Sequence, residues 1–264
     1  MATFNSSSPK KINQNNVIKL KVVDGKLSRH DKIKYNKDGS IDKRHSNRIK
    51  GVSIEVYPLK TEDEIKAMIN VLDTRIDNAK SQWGKKVAYR NKMMFIVGIN
   101  VGLRASDLIQ LKYSFFLGSD GKFKEHYSLQ PKKTAKSGKF VKIFFNQATR
   151  KAILDYVEKY PIEDMEDYLF ASKKGGYICE KTLWNIINEL GKEAGIKQNL
   201  GSHTLRKTWG FWVWHKANDK NKALVMLQQC FKHSSSTTTL GYIGIMDNEK
   251  KDLYESVELG LDFM

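Results

Sequence analysis

The sequence predicts an α+β chain that is mainly helical and carries one small antiparallel β-hairpin. Apolar residues recur at helical spacing in several separate stretches, and within the main domain residues 123–145 turn strand-like. No internal repeat interrupts this order. Hydrophobic residues make up 40% of the 264, enough for a proper core and too many for wholesale disorder.

Taken in order, residues 1–55 are expected to form a basic N-terminal arm, either a flexible leader or a DNA-touching segment with small hairpins. The first 50 residues hold 13 Lys/Arg against 4 Asp/Glu. Within them Asp24-Gly25 and Asp38-Gly39 are turn signals, flanked by residues 17–23 and 32–35. A main domain over 56–247 follows. Thr61-Glu62-Asp63-Glu64 has the pattern of a capping box, and Ile65, Met68, Ile69 and Leu72 continue it as an amphipathic helix. A second helix is expected over 85–101, deeply buried on its apolar content and ended by Gly102. Ser106 and Asp107 are expected to start a short helix through Leu111. In the hairpin, Tyr127 and Leu129 precede a lysine-rich tip with Gly138, and Phe140, Val141, Ile143 and Phe144 follow it. Helices are then expected over 146–160, 180–194, 203–216 and 222–231. Residues 248–264 form a tail; from Asp247 to Leu261 it has Leu253, Val257 and Leu261 at fourfold spacing, suited to a short helix.

The net charge of +17 points to a polyanionic partner, with nucleic acid leading, because clustered Lys and Arg release counterions from phosphates. Only Cys179 and Cys230 occur, without zinc spacing, which excludes a disulfide scaffold and suggests free thiols in a reducing cytosol. The longest apolar run, 93–103, is too short to span a bilayer, and residues 1–16 carry no apolar signal core. The expectation is a cytoplasmic protein with no membrane partner.

Four stretches could carry chemistry. Arg104, in G-L-R-A-S-D-L, stands where a buried helix ends and another begins, a junction that favours anions; a salt bridge to Asp107 explains it equally well. Lys132, Lys133, Lys136 and Lys139 crowd the hairpin tip, where one of them could enter a DNA groove. In S-H-T-L-R-K-T, His203 and Arg206 share a helix face, and Ser202 or Thr204 can cap that helix. The aromatics that follow, Trp209 to Trp214, suit core packing better than base stacking. Finally K-H-S-S-S-T-T-T-L-G-Y sets Tyr242 nine residues after His233, through six hydroxyl residues read as a flexible tether whose serines and threonines can cap the helix carrying the tyrosine.

These four motifs, in this order, resemble the tyrosine recombinases, or phage-type integrases, over roughly residues 56–247. The resemblance implies a tyrosine-recombinase-type catalytic domain and places Arg104, Lys133, His203, Arg206, His233 and Tyr242 on the six catalytic positions. Lys136 stands close enough to compete with Lys133. It implies DNA cleavage through a 3′-phosphotyrosyl link, with no cofactor and no metal. Two guanidiniums can carry the charge of a pentacoordinate phosphorus unaided, and no carboxylate cluster with metal-ligand spacing lies near these motifs. Lys132, Lys136, Lys139, Lys207 and Lys232 are the candidate DNA contacts. The implied partners are double-stranded DNA, further copies of the chain on that DNA, on which the 248–264 tail would dock unless it packs on its own core, and an accessory protein, in a bacterial or phage-infected cell.

The sequence departs from the family's pattern in three places. Phe231-Lys232-His233 replaces the usual L-G-H, and Gly241 precedes Tyr242 where a bulkier residue is usual, so a mobile nucleophile segment is expected. Only about 55 residues precede the catalytic domain, so no separate helical core-binding domain is expected. That last point favours the competing expectation, a DNA-binding regulator that keeps the fold without recombining DNA. A type IB topoisomerase shares the chemistry, whereas a ribosomal-type RNA binder explains only the charge.

Overall fold

The computed structural model describes residues 21–23, 26–28, 55–130, 140–246 and 254–256. The chain divides into two units, Met1–Ile54 and Glu55–Met264. In the first, β1 (Lys21–Val23) pairs antiparallel with β2 (Lys26–Ser28), Val23 opposite Lys26. This is the hairpin expected at Asp24-Gly25; the one expected at Asp38-Gly39 lies outside the described residues.

The second unit opens with an extended segment, 55–60, and α1 (Glu62–Asp77). The expected capping box is present: the Thr61 hydroxyl accepts from the Glu64 N–H at 3.1 Å, and the Glu64 carboxylate accepts from the Thr61 N–H at 3.2 Å. Met68, Leu72 and Ile76 form the buried stripe. Ser81 caps α2 (Gln82–Val101), which packs against α1, α5 and α7 and so buries Met93, Met94, Phe95 and Val97 on more than one face. Gly102 ends α2 in the left-handed conformation, φ 62°, and a Cβ there would meet the Trp209 ring at 2.2 Å. Backbone and packing both require glycine.

Two short helices follow, and both differ from expectation. The first, α3, spans Ala105–Leu108 rather than starting at Ser106, because Arg104 itself takes the extended N-cap place and its carbonyl accepts from the Asp107 and Leu108 N–H groups. The second, α4 (Tyr113–Phe116), has no periodic signal in so few residues; Phe116 is fully buried. The expected hairpin forms from β3 (His126–Leu129) and β4 (Val141–Phe144), with His126 opposite Phe144 and Leu129 opposite Val141. Its tip, and with it Lys132, Lys133, Lys136 and Lys139, lies outside the described residues.

The remaining helices are α5 (Gln147–Lys159), capped by Asn146, α6 (Glu180–Glu193), α7 (Ser202–Lys216) and α8 (Lys220–Phe231), capped by Asp219. Gly201, not Ser202, holds the N-cap place of α7, while the Thr204 hydroxyl accepts from the Gly201 N–H at 3.0 Å. The hydroxyl run is not a tether. Residues Ser236–Tyr242 form α9, because the Ser235 hydroxyl accepts from the Thr238 N–H and Thr239 is fully buried. The 247–261 stretch lies outside the described residues apart from 254–256.

A large core joins α1 to α6, and a second, smaller one holds Phe211, Leu227, Phe231, Ile243 and Ile245, with Trp209, Trp212 and Trp214 packed on it. The aromatic run is therefore core packing, as its spacing suggested. No helix among the described residues is long and apolar enough to cross a membrane.

Candidate active site

One face of α7 organises the site. His203, Arg206, Lys207 and Gly210 recur at three- and four-residue intervals, so they line one stripe. Gly210 lets other elements approach that stripe: a Cβ there would lie 2.6 Å from Phe231 and 2.8 Å from Ile243. The turn after α8 and helix α9 occupy the space and bring Tyr242 over the stripe.

Arg206 is only 6% exposed. Its Nη1 donates to the Gly102 carbonyl and its Nη2 to the Cys230 carbonyl at 3.4 Å, with the guanidinium stacked 4.5 Å from the Phe231 ring centroid. It thereby ties the end of α2 to the end of α8. The half-buried Arg104 reaches the same place from the start of α3, donating from Nη2 to the Phe231 carbonyl at 3.4 Å. Two guanidiniums thus converge on one turn, and both act electrostatically on Tyr242.

That turn holds one of the departures from the pattern of the family the sequence resembles. Lys232 adopts φ 58° and ψ 44°, the left-handed conformation that glycine takes at lowest cost. The reversal still closes, with the His233 N–H donating to the Gln228 carbonyl at 3.0 Å. His233 then closes a triangle of rings with Phe231 and Tyr242, its centroid 5.3 and 5.0 Å from theirs, which lie 5.1 Å from each other, and its Nδ1 is 3.1 Å from the Thr239 hydroxyl. Thr239, on α9, so orients a histidine that precedes the helix. Lys232 itself is exposed.

The Tyr242 hydroxyl lies 3.4 Å from His203 Nδ1, a long hydrogen bond of the kind that tightens once substrate is bound. Desolvation raises the Tyr242 phenol above its usual range, and Arg206 and Arg104 pull against that. For His203, desolvation and then the charges of Arg206 and Lys207 lower the imidazole. His233 is lowered too, by desolvation and then by Arg206 and Arg104. At neutral pH the site therefore holds a neutral phenol beside a neutral imidazole able to take its proton, framed by two fixed cations.

Five of the six positions expected from sequence, Arg104, His203, Arg206, His233 and Tyr242, come together here; Lys133 lies outside the described residues. Lys207 was expected to contact DNA, but it is 7% exposed, and its Nζ sits over the Tyr242 ring at 5.2 Å and 3.6 Å from the Glu55 carboxylate. The four-residue interval from His203 places it on the site's stripe rather than on open surface. Glu55 carries no local signal at all, because only tertiary packing brings it there.

Comparison with known proteins gives the family and the fold. The family model described as "Phage integrase family" matches residues 60–249, and the chain belongs to that family. It is 30% identical over 169 residues to "Probable integrase/recombinase YoeC" of Bacillus subtilis, covering 63% of this chain and 83% of that protein. It is 26% identical over 171 residues to "Tyrosine recombinase XerD" of Oceanobacillus iheyensis, covering 65% of this chain but only 55% of that one. The crystal structure of XerA recombinase superimposes with a TM-score of 0.54 at 23% identity, over 78% of this chain and 64% of that chain. That likeness shows the fold.

Proposed function

We propose that the protein is a DNA-breaking and rejoining enzyme, a tyrosine site-specific recombinase (integrase) of a phage or other mobile element. The observation that carries this reading is the single cluster formed by Tyr242, His203 and the two arginines. Double-stranded DNA is the substrate, and the DNA-bound assemblies named for relatives, a lambda integrase dimer on a core site among them, support self-association on it. The reaction belongs in the cytoplasm of a bacterial or phage-infected cell.

The Tyr242 oxygen attacks the phosphorus of one strand while its proton passes to His203 Nδ1. Arg104 and Arg206 hold the non-bridging oxygens as charge builds on them, and His233 hydrogen-bonds the same phosphate. The P–O bond to the 5′ oxygen breaks, and Lys133 supplies the proton that oxygen needs. The 3′-phosphotyrosyl link keeps the bond energy, so attack by a 5′ hydroxyl reverses the step without a nucleotide cofactor. No feature of the site favours a non-catalytic regulator, since a regulator needs neither the phenol–imidazole pair nor the buried arginine behind it.

The test uses nicked duplexes that tile the DNA on either side of the protein's own gene, so that a cleaved strand diffuses away. A covalent protein–DNA adduct with the native chain, absent in Tyr242→Phe, is expected. Tight sequence-specific binding with no adduct would sink the proposal.

A further inference from the structure

Lys207 is the one charged or titratable residue on the α7 stripe for which the proposed reaction provides no step, and it is buried although the protein is strongly basic. Its side chain is 9% exposed, and its ammonium lies beneath the nucleophile's ring, 5.2 Å from the centroid. The Glu55 carboxylate approaches it at 3.6 Å.

The segment that carries Glu55 is fastened at several points around the site. The Tyr57 N–H donates to the Asn199 carbonyl at 2.9 Å, and the Leu59 N–H donates to the Thr208 hydroxyl, next to Lys207, also at 2.9 Å. Trp212 Nε1 donates to the Leu59 carbonyl at 3.0 Å, and Lys60 Nζ donates to the Gly244 carbonyl at 2.7 Å, two residues past the nucleophile. Segment 55–60 therefore holds both α7 and the end of α9. Glu55 leads into this fastened stretch, two residues before its first tie at Tyr57.

We infer that Lys207 is a positioning residue: held by Glu55, its ammonium supports the Tyr242 ring from below and keeps the phenol directed at His203. The inference rests on the recombinase reading for the reaction it serves, but its geometry does not depend on that reading. A cation over a ring face is attracted by the ring's quadrupole, and more strongly once the phenol becomes an anion. The contact thus strengthens as the proton leaves. Lys207 also faces His203 across one helical turn, where its charge adds to that of Arg206 and Arg104 in keeping the imidazole unprotonated, against the opposing charge of Glu180. Around Tyr242 the other charged or titratable groups are Arg206 and His203 on α7, His233 at the turn and Arg104 before α3. Among the described residues Lys207, unlike these four, places a cation over the ring face.

The experiment compares the full-length native chain with Lys207→Met, Lys207→Arg and Glu55→Gln by three measurements. These are the single-turnover rate of adduct formation, the affinity for the same duplex, and the titration of the His203 imidazole followed by NMR without DNA. Lys207→Met should cleave about tenfold more slowly, since small misplacements of a reacting group are costly, with affinity changed less than about threefold. Its His203 midpoint should rise by about half a pH unit, the effect of removing one nearby charge. Lys207→Arg should restore both, and Glu55→Gln should move the midpoint the other way, because it leaves the ammonium uncompensated. Cleavage and affinity falling together with the His203 midpoint unmoved would make Lys207 a phosphate contact and overturn the inference. So would a Lys207→Met protein identical to the native chain in all three. If the native chain forms no adduct, it is the recombinase reading that fails, and the imidazole titration alone decides the role of Lys207.

Discussion

Arg206 combines two duties that usually belong to different residues. It is a buried tie between the Gly102 and Cys230 carbonyls, and it is a fixed cation aimed at the nucleophile. Arg206→Ala should reduce adduct formation by about a hundredfold or more, the cost of removing one preorganised donor. Non-specific DNA binding should fall only a few-fold, because one phosphate contact among many is minor for affinity. Equal losses in a cleavage assay and a binding titration would count against the assignment. His203 gives the pH dependence its sign. Its imidazole is lowered, so it is neutral above the usual histidine range and still partly neutral within it. Adduct formation should hold steady from pH 8 to about 6.5 and fall only below that, as the proton that blocks Nδ1 binds. A fall starting well above pH 7 would mean that a different group accepts the phenol's proton.

At the scale of single elements, local signals reported well where the cause was local. The capping box at Thr61 and the stop at Gly102 are stated by neighbouring residues, and both stand in the structure. So do the hairpin strands and the core role of the tryptophans. The hydroxyl run misled because serines and threonines are poor helix formers. Its helix comes from the Ser235 cap, the burial of Thr239 and the surface offered by Phe231 and Gly210, of which only the first is local. Lys207 was legible in principle, four residues from His203 on a helix already expected, but in a chain with 46 basic residues a lysine is easily assigned to DNA. Docking of α9 depends on Gly210. Gly210→Ala forces a methyl group into Phe231 and Ile243, and should destabilise the protein by about 1–3 kcal/mol in chemical denaturation. Cleavage should suffer more than binding, because the helix displaced is the one that carries the nucleophile.

For the whole molecule, charge is distributed unevenly. The first 50 residues carry 13 basic and 4 acidic side chains, more than half of the net +17. If that arm lies on DNA phosphates, replacing Lys10, Lys11, Lys19 and Lys21 with glutamine should flatten the salt dependence of binding. The log–log slope should drop by about 0.9 for each phosphate that is no longer neutralised. At saturating protein the adduct rate should be unchanged if the arm serves affinity alone. An unchanged slope would identify the arm as a linker. The catalytic unit supplies chemistry through a cluster assembled from α2, α3, α7, α8 and α9, so its integrity and its activity should be lost together on denaturation.

That this cluster cuts DNA through Tyr242 and keeps the 3′ end is tested most directly by mapping the adduct. The covalent complex is digested with protease and nuclease, and the peptide that carries the nucleotide is sequenced by mass spectrometry. One modified peptide is expected, with Tyr242 joined to a 3′ phosphate. A link to a 5′ phosphate, to another tyrosine, or to a hydroxyl in the 234–239 run would contradict the assignment.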